Sequence, residues 1–263
     1  MRLHVVSDVH GNVDALARAA DGADALLVLG DLIDFVDYHD HSGGILGSIF
    51  GAEKVAVFAA LRRERRSAEI VSYVSSLWGS LADPGAVVEE AIREQYAKLF
   101  AALTAPTYAT PGNVDMPELW PEYAGDNVRI LDGTVTEIGG LRFGFVGGGQ
   151  LPPTVTKRRR GGGWRPYLRT AEEYTAAVRG LDPVDVVCTH IPPDLPELTY
   201  DVLARRAEYG SAGLLELIRE RAPRASLFGH VHQPLAARMR VGRTECANVG
   251  HFQRAERPYV LRW

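Results

Sequence analysis

Five apolar runs in this chain each close on side chains able to bind a metal, and that repetition constrains the fold more than any other feature. LHVVSDVH ends on Asp8 and His10, LLVLGDLID on Asp31 and Asp34, and TYATPGNVD on Asn113 and Asp115. VDVVCTH ends on His190, and SLFGHVH on His230 and His232. Strands that deliver carboxylate, amide and imidazole groups at their carboxyl ends can assemble one polynuclear site from distant sequence. In extended backbone, positions i and i+2 share a side, so Asp8 and His10 can face one ion.

The spacing predicts a strand over 3–6, a turn over 8–12, a helix over 13–20 and a strand over 25–29. So short a βαβ unit demands parallel strands and a right-handed crossover, which puts both ligand groups on one sheet edge. Between Asp34 and Gly112 lie nearly eighty residues, against the dozen or so that a crossover needs. The excess reads as a helical, cap-like insertion at about 36–104 within a single domain spanning 1–263. Its first part, HDHSGGILGSIFG, is glycine-rich and reads as a loop, and residues 55–77 and 86–103 show helical spacing. Asp83 and Pro84 supply a cap and a first-turn proline for the second of these, whose apolar face is Val88, Ile92, Tyr96, Leu99 and Leu103. LRRERR offers either a phosphate-binding patch or a solvated face, and its interspersed Glu favours the face.

From Val128 onward the pattern changes to short alternating strands, with Gly139 and Gly140 as a hairpin turn. Lys157–Arg160 sits between glycines in a loop-like stretch and is either solvated or reaches toward an anion. A helix over 171–178, a strand over 184–188, one or two helices over 198–221, a hairpin and a closing strand complete the chain.

Composition narrows the function. A 46% hydrophobic and 24% charged chain is an ordinary soluble globular protein. Its net charge of −4 disfavours long nucleic acid and membrane surfaces as partners, so a phosphate substrate would have to be neutralised locally, as metal ions do. Cys188 and Cys246 offer no disulfide framework and read as buried thiols. The amino terminus enters a strand with no signal segment and no run is long enough to span a membrane, which points to the cytoplasm.

The ordered set Asp8-x-His10, Gly30-Asp31-x-x-Asp34, Gly112-Asn113-x-Asp115, His190 and Gly229-His230-x-His232 resembles the signature of the calcineurin-like metallophosphoesterases. It covers residues 8 to 232, and five such motifs in order are far more specific than any one alone. The resemblance implies an α/β fold of two packed mixed sheets flanked by helices, a four-layer αββα sandwich. It also implies two divalent ions of the Mn, Fe or Zn type. One would be held by Asp8, His10, Asp31 and His232, the other by Asp31, Asn113, His190 and His230, with Asp31 bridging. Oxygen and imidazole donors without thiolate suit such ions independently. Glycines 11, 30, 112 and 229 flank the ligands, where close backbone approach is useful.

The implied activity is hydrolysis of small-molecule phosphomonoesters or phosphodiesters by a metal-bridging hydroxide, with Asn113, Asp31 and Asp34 in catalytic places. A nuclease or lipid-linked pyrophosphatase on the same scaffold is an alternative, and a non-catalytic interaction scaffold a further one, disfavoured because all seven ligands are present. One departure stands out. Many relatives place a histidine, thought to protonate the leaving group, directly after the motif asparagine, where this chain has Val114. Asp34 thereby loses the partner it would orient, and poor alkoxide leaving groups should react slowly. His39 and His41, just after Asp34, and His251 in NVGH are candidate substrate contacts. His4 alternates onto the opposite strand face and reads as structural.

Overall fold

The computed structural model describes residues 1–152 and 164–263, so Lys157–Arg160 lies outside the described residues. Two mixed sheets pack face to face. The first runs Tyr259–Arg262, Arg2–Val6, Ala25–Val28, Thr107–Ala109, Val128–Ile130. Its last four strands pair in parallel, and Tyr259–Arg262 is antiparallel to Arg2–Val6. The second runs Arg238–Val241, Thr244–Asn248, Ala225–Phe228, Val186–Thr189, Leu141–Val146, Thr134–Ile138, with four parallel inner strands and an antiparallel strand at each edge.

Strand alternation builds the layers. Leu3, Val5, Ala25 and Leu27 point between the sheets, against Phe143, Phe145, Cys188 and Leu227 of the second sheet. Val6, Leu26 and Val28 point the other way, into a cluster with Val88, Ile92, Tyr96 and Leu99 of helix Pro84–Ala101. On the far side Val187 and Phe228 pack against Tyr174, Val178, Leu214 and Ile218 of helices Ala171–Arg179 and Ala212–Arg221. Because both faces are covered at the centre of each sheet, inner strands such as Ala25–Val28 and Val186–Thr189 are continuous buried runs, whereas the edge strands Arg238–Val241 and Tyr259–Arg262 alternate. His4 takes the helix side of its strand, where its Nδ1 meets the Ala19 carbonyl at 2.8 Å.

Several local expectations change. The helix after the first strand is only Val13–Leu16, capped by Asn12, and turns follow it. GILGSIF is a helix, Gly44–Phe50, and not a loop: Ile45, Leu46 and Phe50 are buried on one side, and Gly47 lies so close to the Ser42 backbone that a side chain would collide. The stretch expected as one helix over 55–77 is two, Ala52–Arg63 and Ser67–Gly79, broken where Arg65 adopts φ 59°. Between Pro196–Thr199 and Ala212–Arg221 the chain inserts a small hairpin, Tyr200–Asp201 with Arg206–Ala207, where helix was expected. Asp83 does cap helix Pro84–Ala101, accepting from Ala86 N–H at 3.0 Å. Both cysteines are buried and free, and no described helix is long and apolar enough to cross a membrane.

Candidate metal centre

The parallel inner strands of both sheets end on the same edge, and the loops leaving them meet there. The first sheet sends in Asp8 and His10, Asp31, and Asn113. The second sends in His190, His230 and His232. Backbone hydrogen bonds tie these loops together before any side chain acts: Asp8 N–H donates to Gly30 O and His10 N–H to Asp31 O, each at 3.0 Å, and Gly229 N–H to His190 O at 2.9 Å. Gly112 and Gly229 lie against the Asp31 and Asp8 carboxylates so closely that a Cβ at either would overlap them. Asp8, His10, Asp31 and His230 adopt φ of 57°, 40°, 54° and 67°, a left-handed region that costs a non-glycine residue about 1–2 kcal/mol. Strain of this kind persists only where surrounding bonds over-determine it, and here it serves two donor clusters that share Asp31.

The donor atoms are close. Those of Asp8, His10 and Asp31 lie within 4.8 Å of one another, as do those of Asp31, His190 and His230. His190 Nε2 is 2.9 Å from Asn113 Oδ1 and 3.4 Å from Asp31 Oδ2. His10 and His232 bring their Nε2 atoms to 3.2 Å. The orientation of two rings is set from behind: His10 Nδ1 meets the Ile33 carbonyl at 3.2 Å and His190 Nδ1 the Leu29 carbonyl at 2.8 Å, which turns each Nε2 inward.

Charge follows from burial and neighbours. Burial works against ionisation of Asp8, yet the neighbouring His232, whose Nε2 lies 3.5 Å from Asp8 Oδ1, outweighs it with help from His190 and His10 and holds the carboxyl far below its usual range. Asp31 is likewise lowered, burial being overcome chiefly by His190. Burial depresses His10, with Asp31 opposing, and it lowers His230, assisted by His190, to about 4. His190 and His232 go the other way: Asp31 outweighs the burial of His190 and raises it to about 9, and Asp8 outweighs that of His232 and raises it too. The set is therefore two ionised carboxylates with at least two neutral imidazoles. Asp8 Oδ1 is buried without a hydrogen-bond partner among the described residues. An orphaned carboxylate oxygen facing inward-turned imidazole nitrogens is poorly satisfied by protein alone, and a divalent cation satisfies all of them. The residues present fit the metal.

The pattern of apolar strands, five ligand motifs and a sandwich of two sheets now meets independent comparison. The family model for calcineurin-like phosphoesterases matches residues 1–234. The chain belongs to the calcineurin-like phosphoesterase family. This family is metal-dependent and hydrolyses phosphoesters, and the ligand clusters described above are where this calcineurin-like chain can hold metal. A solved crystal structure superimposes on it with a TM-score of 0.59 at 17% identity, covering 96% of this chain and 91% of that chain, a likeness of fold. No curated protein matches its sequence.

Other expected site residues divide. Asp34 and His39 line a cavity of about 540 Å³ that opens over the cluster of candidate ligands, and His251 lines it too, stacked on His232 with ring centroids 3.8 Å apart. His41 does not line that cavity. Val114 does, and its N–H donates to Asp31 Oδ1 at 2.9 Å. Of LRRERR, Arg62 reaches the cavity wall, whereas Arg66 pairs with Glu64 and Glu69 on the solvated face.

Three further residues do structural work here. Asp115, read in the sequence with Asn113 as a strand-end side chain able to bind a metal, instead accepts from the N–H groups of Asp31, Leu32 and Gly112 at 2.8 to 3.0 Å. Asn248 donates to the carbonyls of Gly229 and Val231 and so fixes the loop that carries two histidines. Gln253 donates to His10 O at 2.9 Å. The first had a positional signal, whereas the other two are polar residues near a chain turn with no motif to single them out.

Proposed function

We propose that this chain is a dinuclear-metal phosphoesterase acting in the cytoplasm on small-molecule phosphomonoesters or phosphodiesters. The observation that carries the reading is the gathering of seven candidate ligands at one sheet edge, His10, Asp31, Asn113, His230 and His232 lining the floor of one cavity and Asp8 and His190 buried beside them. Asp8, His10, Asp31 and His232 would hold one ion, Asp31, Asn113, His190 and His230 the other, with Asp31 shared. When bound, two divalent ions of the Mn, Fe or Zn type activate water and offset the charge of the phosphate oxygens.

The chain's own groups do the rest. Asn113 directs Oδ1 into the cluster at His190, which leaves its NH₂ to donate to a phosphate oxygen. The Leu29 and Ile33 carbonyls hold two imidazoles in the tautomer that binds metal. Asp34 faces the cavity, and burial followed by the charge of Asp37 pushes its carboxyl up to about 7. It is our candidate for the group that shares a proton with the leaving oxygen in place of the histidine that Val114 replaces. His39 and His251 stand on the wall as donors to the remainder of the substrate. The negative net charge gives a long polyanion no general attraction, which favours small substrates over a nuclease reading. We further take residues 36–104 as a cap on a single domain.

The test is metal analysis followed by a panel of mono- and diesters with good and poor leaving groups. Two ions per chain and metal-dependent turnover are expected. A fully loaded protein inert toward every phosphate ester would overturn the reading.

A further inference from the structure

The cavity has two unlike halves. Its floor is the ligand cluster. One wall, a second stretch of its lining, is apolar and comes mainly from the helices between Gly44 and Gly79, as Leu46, Phe58, Val74, Leu77 and Trp78 with Phe35, and polar groups such as Arg62, Arg206 and Glu208 complete the lining. Rings are prominent there. Phe35 stacks on Trp164 with centroids 3.7 Å apart, and Trp78 meets Phe50 edge-on at 4.9 Å. Val74 and Trp78 are only partly buried, so apolar surface remains for a ligand to cover, worth about 25 cal/mol per Å².

Val114 extends this wall to the reaction centre, because it follows the candidate ligand Asn113 directly and lines the same cavity. A hydroxyl laid against this apolar stretch would find no acceptor there, the acceptors Asp37, Tyr38, Asp201 and Glu208 lying elsewhere in the lining, and unpaired buried polar groups are what specificity pockets reject most strongly. A flat ring gains from the wall's faces and edges as a flexible chain does not. The volume, about 540 Å³ including the space over the cluster, favours a compact group. A phenolate also departs with less help from a proton than an alkoxide, which suits a site with valine where an imidazole would stand.

Resting on the phosphoesterase reading above, we propose that the cavity selects phosphate esters of aromatic alcohols, the ring lying on the helical wall while the phosphate occupies the polar floor. Water adds at phosphorus, the bond from phosphorus to the phenolic oxygen breaks, and inorganic phosphate and the phenol are released, so that no further reactant is required.

The experiment compares kcat/KM of the metal-loaded full chain for 1-naphthyl phosphate, acetyl phosphate and dodecyl phosphate, in the parent protein and in Trp78→Ala and Val74→Asn. In parallel, binding of 1-naphthol to the Asp31→Asn protein is followed by tryptophan fluorescence. The naphthyl ester should be preferred over both others, and its advantage over acetyl phosphate should shrink by about tenfold in each variant. Naphthol should bind even where turnover is lost. Equal turnover of the naphthyl and acetyl esters, with a ratio unmoved by either variant, would overturn the aromatic assignment while leaving the hydrolase intact. Preference for the dodecyl ester would overturn it as well. Naphthol binding with every ester inert would instead sink the phosphoesterase reading and keep the aromatic site.

Discussion

The two halves of the cavity are built by opposite means. The floor comes from loops at the ends of parallel strands, where left-handed residues, crowded glycines and backbone hydrogen bonds leave each donor atom little choice of position. The wall comes from side chains of short helices, several of them partly exposed, held by packing rather than by polar networks. Arg65 Nη2 donates to Arg205 O at 3.0 Å in an exposed bond that links the helices to the Tyr200–Ala207 region. The difference teaches that chemistry and selectivity are separable in this molecule. Substitutions on the floor should alter metal binding and rate together, and substitutions on the wall should alter which ester is chosen.

The largest effect that tests this division is expected at Asp31, whose carboxylate faces His10 and His190 and also accepts from Val114 N–H. Asp31→Asn should lower kcat/KM by more than about 10²-fold, exceeding what loss of a supporting contact produces, and should reduce bound metal. Metal content and kinetics on the same preparation check it, and a variant with full metal and full rate would remove Asp31 from the shared position.

Val114 lies where floor and wall meet, so it sharpens the comparison from the other direction. Val114→His should accelerate esters of poorly acidic alcohols by about 10²-fold, the lower range of general-acid assistance, while aryl esters change little. A plot of log kcat against leaving-group acidity should flatten. An unchanged slope would show that the valine is not beside the leaving oxygen.

Asp115 asks how much of the floor is scaffolding. Its carboxyl is pushed up to about 6 by burial and by the charge of Asp31, against the donation of Gly112 N–H, and it gathers three backbone N–H groups. Asp115→Ala should weaken metal affinity by about 10–100-fold, as loss of groups that orient ligands does. Titration of the stripped protein with metal would read this directly, and an unmoved affinity would make Asp115 a packing residue only.

The same contrast explains what could be read from the sequence. The strands that end at the site, and the order of their motifs along the chain, were legible because burial on both faces writes long apolar runs, and the candidate ligands occur at their ends in fixed motifs. The helix Gly44–Phe50 was not, since its glycines argue for a loop and only tertiary contact with the core overrides that preference. The break at Arg65 and the hairpin at Tyr200–Asp201 carry no strong turn signal. Phe35, Val74 and Trp78 carry no sequence signal for the cavity, because an apolar residue facing a cavity has the same local pattern as one facing another side chain. His39 and His41 were indistinguishable by spacing, and only the path of the loop separates them.

The smallest predicted effect concerns Asp34, which belongs to both halves. Its backbone is fastened by Gln95, which accepts from its N–H at 2.8 Å and donates to its carbonyl at 3.0 Å, yet no hydrogen bond reaches its carboxylate among the described residues. With a folded value of about 7 above the usual ~3.9 of an aspartate, the fold favours the protonated form. Between pH ~4 and ~7 the unfolded chain gives up this proton while the folded chain keeps it, so the stability contributed by Asp34 falls as pH rises through that window. Asp34→Asn cannot ionise. In the metal-stripped protein it should match the parent near pH 4 and exceed it near pH 8 by on the order of 2 kcal/mol, a figure reduced for the partial exposure of the group. Thermal unfolding at the two pH values reads the difference, which should amount to a rise of about 4–8 °C at the higher pH. A variant less stable than the parent at pH 8 would mean that the ionised carboxylate has a partner, and Asp34 would then be fixed in charge and unable to hold a proton for the leaving oxygen.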